Sequence, residues 1–239
     1  MQDRYAGDIG DYIKFGLLRA LSPNRRLGIA WYLYPDQAHN SDGRHIAYLD
    51  DPDRWRKFDP SLFDGLKRIV GSNRSIASIE QSGVICARFH RNPVVRSQAC
   101  THTHASFRSA WFEELMTTMF ACDIVFADPD NGLVDDAPNR RRHKKHGKQM
   151  PLSEALALAE GRTAIVYHHN SRFKGGHNLE VQHWLNQLGP GTLAVRANAF
   201  SCRTFFIVNP DGETAWRVAE FCENWSQARV RLHSVCQTE

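Results

Sequence analysis

Two carboxylates bracket a proline at Asp128-Pro129-Asp130, and Asn131-Gly132 follows at once. Carboxylates so placed can orient an amine by accepting its N–H, or gather a divalent cation that activates water. Ile124 to Ala127, just before them, is a short continuous apolar run, the pattern of a strand buried on both faces of a parallel sheet. Asp128 then stands at the carboxyl end of that strand, the edge where open α/β sheets bind ligands. Pro129 fixes φ and removes an N–H, and Asn131-Gly132 tolerates positive φ, so the chain turns sharply with both carboxylates beside the turn. The same residue types make ordinary strand-to-turn junctions, and this stretch alone leaves both readings open.

Other reactive groups collect in a similar way. Thr163 to Tyr167 is a short apolar strand that ends in His168-His169-Asn170. Ser75 to Glu80 reads as a strand with Glu80 near its end, and Val84 to Phe89 as another. Leu27 to Tyr34 reads as the first buried strand. It feeds a polar loop in which Asp36, His39, Asn40 and Asp42 are candidate ligand contacts. His102-Thr103-His104 has metal-ligand residue types but no third ligand nearby, and reads as a surface loop. Arg140, Arg141, Arg142, Lys144 and Lys145 belong to the densest positive run in the chain, directly after the carboxylate turn. There they could grip phosphates, although such runs are also simply solvated. A net charge of +4 with 12 histidines leans toward an anionic partner, here nucleic acid.

These groups need a scaffold. With 239 residues, 42% hydrophobic and 23% charged, the chain suits one α/β domain over 1–239, without repeats or a linker. No apolar run approaches the roughly 18 residues that span a bilayer, and the amino terminus lacks the apolar stretch of a secretory signal. The expectation is a cytoplasmic protein. Six cysteines occur singly, without a C-x-x-C pair, and read as reduced packing thiols. Asp8 or Asp11 can cap a helix that carries Tyr12, Ile13, Phe15, Leu17, Leu18 and Leu21. Lys14 lies in its first turns, where a cation gains nothing from the helix dipole; composition alone makes it a solvated lysine. Further helices are expected from Pro60 to Gly71, Phe107 to Phe120, Pro151 to Glu160, His177 to Leu188 and Thr214 to Trp225. Thr192 to Ala199 and Cys202 to Val208 read as a hairpin, carrying Arg196 and Arg203 as phosphate contacts or as surface residues at a sheet edge. The sum is an α/β fold: a single doubly wound, mostly parallel sheet with an antiparallel terminal hairpin.

That arrangement resembles the Rossmann-like methyltransferases. The opening Ala6-Gly7-Asp8-Ile9-Gly10-Asp11-Tyr12-Ile13-Lys14-Phe15 is similar to the start of bacterial large-subunit rRNA adenine-N6 methyltransferases of the RlmJ type. The chain also resembles a family of uncharacterised bacterial proteins that share the Asp-Arg-Tyr and Gly-Asp opening and the Asp-Pro-Asp-Asn-Gly turn. The resemblance implies S-adenosylmethionine as cofactor, with Lys14 helping to bind it. It puts the loop from Asp36 to Gly43 in place of the glycine-rich cofactor loop, and Glu80 on the ribose hydroxyls. Asp128 and Pro129 match the first half of the Asp-Pro-Pro-Tyr motif of amino methyltransferases, whose Asp accepts a hydrogen bond from the target amine; His168 or His169 would assist. Asp130 and Asn131 then depart from the motif, which removes the aromatic that stacks on a flipped base, and the first loop lacks Gly-x-Gly. The basic run and Arg203 would hold nucleic acid. Two other classes stay open. One is a metal-dependent nuclease or phosphodiesterase in which Asp128, Asp130, Glu80 and the His168-His169 pair gather one or two divalent cations. The other is a non-catalytic nucleic-acid-binding module.

Overall fold

The computed structural model describes residues 1–35, 43–94, 104–137 and 146–234. Its elements run α1 (Ile9–Leu21), β1 (Leu27–Trp31), α2 (Pro52–Trp55), α3 (Pro60–Gly71), α4 (Ile76–Gln81), β2 (Arg88–His90), α5 (His104–Thr118), β3 (Ile124–Asp128), β4 (Gly132–Val134) and β5 (Gln149–Pro151). There follow α6 (Leu152–Leu158), β6 (Thr163–His169), α7 (His177–Leu188), β7 (Leu193–Ala197), β8 (Arg203–Val208), α8 (Gly212–Asn224) and β9 (Val230–Leu232).

Seven strands form the central sheet in the order β2-β1-β3-β6-β8-β7-β9, and β4 pairs with β5 in a small separate sheet. β1, β2, β3, β6 and β7 share one direction, and only β8 and β9 run against it. This is an α/β fold with a mostly parallel sheet, consistent with a Rossmann-like arrangement. The pleat builds two cores. Ile124, Phe126 and Ile165 face one cluster with residues of α1, α3, α4 and α8. Val125, Ala127 and Val166 face another with residues of α5, α6 and α7. Helices therefore cover both faces, and the strands are apolar on both sides for that reason.

α1 is central to the first cluster. Eleven of its 13 residues are buried, so it reads as a core helix rather than a surface one. Asp8 caps it, accepting from the Asp11 N–H at 3.0 Å. Gly16 allows Trp225 to lie on the helix backbone, since a Cβ there would come within 2.6 Å of the indole.

Several local expectations are corrected. Ser75 to Glu80 is not a strand: Ser75 caps α4, and Ile76 and Ile79 bury at helical spacing. The expected strand from Val84 shortens to Arg88–His90. The terminal hairpin exists, but β8 lies inside the sheet between β6 and β7, and β9 covers β7. Arg196 and Arg203 are consequently buried, not surface residues at an edge. Among the described residues no helix is long and apolar enough to cross a membrane.

Candidate functional site

Strand register decides which groups meet. Trp31 of β1 pairs with Asp128 at the carboxyl ends of their strands. At the end of β6, Tyr167, His168 and His169 stand opposite Phe205, Thr204 and Arg203. Because β8 is antiparallel, its first residue reaches the edge where the parallel strands end. Alternation then sends Tyr167, His169 and Arg203 toward α1, and His168 to the opposite face. Asp128, Asp130, Asn131, His169, Lys14 and Arg203 line one cavity of about 240 Å³ beside the amino end of α1. Tyr5, Asp8, Gly10, Asp11, His45, Tyr167 and Ser201 complete most of its wall.

Lys14 is the hub of this site. It is buried, not solvated: its ammonium donates to Asp11 Oδ1 at 2.7 Å and Asp128 Oδ2 at 2.8 Å. Four rings surround it, with centroids 5.6 Å (Phe15), 5.8 Å (Trp31), 5.7 Å (Phe126) and 5.9 Å (Tyr167) away. Burial works to lower its proton affinity, but the two carboxylates outweigh burial and hold it protonated. Asp11 and Asp128 are raised as well, but for the opposite reason. Burial pushes both above the ordinary carboxylate range, and Lys14 offsets only part of that. The ammonium is thus the fixed charge, and the carboxylates are the groups that take up a proton first.

Asp130 differs from its neighbour. Burial would raise it, but the Met1 ammonium at 2.6 Å, Gln2 Nε2 at 2.6 Å and Lys148 hold it below the ordinary range. Asn131 donates its N–H to the Lys148 carbonyl at 2.8 Å, which pins the turn onto the strand β5 side. Gly132 has φ 82°, and a Cβ there would come within 2.6 Å of His168 Cα, so the turn needs glycine on both counts.

His168 holds this turn from behind. Its Nδ1 accepts the Leu133 N–H at 3.0 Å, which leaves Nε2 to donate to Glu180 at 3.2 Å. Trp184 and Phe206 pack on its ring. His168 is a positioning residue, and His168 and His169 cannot share a ligand because the pleat separates them. Glu80 also stands elsewhere. It accepts from Trp31 Nε1 at 2.7 Å and pairs with Arg91 at 2.6 Å, on a helix and outside the cavity wall. Asp36, His39, Asn40, Asp42, Arg140, Arg141, Arg142, Lys144 and Lys145 lie outside the described residues, as do His102 and Thr103. Among the described residues no three His, Cys, Asp or Glu side chains are grouped to hold a metal ion.

Sequence reasoning missed Asp11, although its spacing three residues before Lys14 on a helix was a usable signal. It also missed Phe200. This residue sits at φ 62°, uncommon for a bulky side chain, and keeps 53% of its surface exposed beside the cavity. Its ring tilts against His45 at 5.6 Å and Trp55 at 6.1 Å.

No family model matches the chain, and no curated protein does. Among solved structures the chain is similar to protein LPL1258 from Legionella pneumophila str. Philadelphia 1, described under the family model DUF519. The two share 11% identity over 97% of this chain and 99% of that one, with a TM-score of 0.48.

Proposed function

We propose that the protein is an S-adenosylmethionine-dependent methyltransferase that acts on an amino group of nucleic acid. The observation that carries this reading is Asp128: a buried carboxylate at the carboxyl end of β3, facing a cavity, with Lys14 at 2.8 Å. A carboxylate there can accept one N–H of an amine and so fix the direction of its lone pair. Burial raises its proton affinity, which suits a group that also takes the proton the amine must lose.

Lys14 fits the methyl donor as well. Two of its three N–H bonds go to Asp11 and Asp128, leaving one for the donor's carboxylate. When bound, S-adenosylmethionine supplies an electrophilic methyl group. The aromatic that the turn lacks at Asn131 is replaced in this reading by Phe200, half exposed and packed on His45 of the cavity wall. The nuclease alternative gains nothing comparable: Asp128 and Asp130 are each engaged by cations of the chain, and Glu80 and His168 stand apart from them.

The test is methyl incorporation from labelled S-adenosylmethionine into ribosomal RNA, transfer RNA and DNA. Wild type should label one of them, and Asp128→Asn should lose about 100-fold or more while remaining folded. A folded wild type that labels none of them would overturn the proposal.

A further inference from the structure

We infer that Arg203 receives an oxyanion of the methyl acceptor, a phosphate carried close to the target amine. The acceptor assignment rests on the methyl-transfer reading; the oxyanion site itself does not.

Arg203 is 3% exposed, and among the described residues its Nε and Nη1 have no hydrogen-bond partner. Its Nη2 donates to Ser201 Oγ. Among the described residues Arg108 Nη1 and Arg196 Nε are also buried without a hydrogen bond, but these other buried cations differ in their partners or place. Lys14 has two carboxylates, and Arg108 forms a two-pronged pair with Glu154 at 2.7 Å on each prong. Arg196 also lacks a carboxylate, but it bonds Asn178 and lies off the cavity wall. A guanidinium buried with open N–H groups costs stability unless something fills them, and Arg203 faces the cavity where a ligand can do so.

The backbone is shaped around it. A Cβ at Gly10 would come within 3.1 Å of Arg203 Cζ, so glycine lets the guanidinium lie against the first turn of α1. The cavity wall that Arg203 shares also carries Asp8, Asp11, Lys14, Asp128, Asp130 and His169. Asp8 gives Oδ1 to the Asp11 N–H and Asp128 gives Oδ2 to Lys14, and among the described residues neither forms a hydrogen bond or ion pair with Arg203. That leaves the planar, always-charged donor for an incoming oxyanion, the geometry that guanidinium groups match best.

The test uses the full chain and inorganic phosphate, with acetate and chloride at equal ionic strength, read as melting temperature. Phosphate should raise it saturably in wild type, more than acetate does, and chloride should not; a stronger acetate response would keep the oxyanion site but overturn phosphate as the acceptor's group. R203Q should not respond. R203K, which keeps the charge but not the fork, should need about tenfold more anion, and it serves if R203Q does not fold. An unresponsive wild type, or an undiminished response in a folded R203Q, would overturn the inference. S-adenosylmethionine affinity should be unchanged in R203Q; a tenfold loss would place the donor's carboxylate on Arg203 and remove the acceptor assignment. Anion binding through Arg203 without any S-adenosylmethionine binding would sink the methyl-transfer reading and keep the oxyanion site. Cofactor binding without an anion response would do the reverse.

Discussion

His168 and His169 are adjacent in β6, yet the pleat sends buried His168 and exposed His169 to opposite faces of the sheet, beside two polar clusters of opposite character. Behind the sheet, Glu180 accepts from Ser171 N–H at 3.0 Å, Ser171 Oγ at 2.6 Å, Asn170 Nδ2 at 3.2 Å and His168 at 3.2 Å. Thr204 Oγ1 closes the network by donating to Asn170 Oδ1 at 3.0 Å. In front of the sheet, Lys14 sits between carboxylates raised by burial, and Arg203 keeps open donors. The satisfied cluster is scaffolding that fixes the Asp128 turn. The unsatisfied one is where binding free energy is still to be gained.

The comparison breaks first at Lys14. Lys14→Met leaves two buried carboxylates without their cation and should cost about 3–5 kcal/mol at pH 7, measured by urea unfolding. Both carboxylates have folded proton affinities raised above their unfolded ones. Their protonation therefore favours the folded state, and the deficit should shrink as pH falls through their folded values. A variant as stable as wild type at pH 7 would remove Lys14 as the hub.

Glu180→Gln probes the other cluster. Burial would raise Glu180, but bonds from His168, Ser171 and Asn170 bring it down to about 2. A lowered carboxylate stabilises fully above its unfolded value, and that stability disappears as pH falls toward the folded one. The variant should lose about 2–3 kcal/mol at pH 7, with the gap to wild type closing between about pH 5 and pH 2. Methyl transfer per folded molecule should fall less than about tenfold, as expected of scaffolding. A pH-independent gap would contradict the assignment.

Smaller effects sharpen the contrast. Asp128→Asn should change stability by less than about 1 kcal/mol, because burial already disfavours the charged form and Asn still accepts from Lys14. A larger loss would make Asp128 a structural residue. Phe200→Asn relieves a left-handed backbone strain while losing some packing, so stability should move by less than about 1 kcal/mol. Acceptor binding should nevertheless weaken; unchanged acceptor binding would remove Phe200 from the site.

Much of the scaffold was legible in the sequence. Ile124 to Ala127 announced β3 with Asp128 at its carboxyl end, and the apolar helix from Ile9 announced α1, although Lys14 on it is buried and not solvated. Ser75 to Glu80 misled because β-branched and small residues masked the Ile76 to Ile79 helical spacing and the Ser75 cap. The histidine pair misled for a different reason: reading them as one cluster ignored the alternation of the strand that carries them. Arg203 was assigned to nucleic acid from its charge alone. Its burial follows from β8 inserting between β6 and β7, a matter of topology that no local pattern encodes. The pair β4 and β5 has three residues per strand, too short for periodicity to register.

The most direct test of the account is calorimetric titration of S-adenosylmethionine into wild type, Glu180→Gln and Lys14→Met at a temperature where circular dichroism reports all three folded. The account predicts one saturable site per chain in wild type and Glu180→Gln, and its loss in Lys14→Met. Absence of binding to wild type, or equal binding by Lys14→Met, would contradict it.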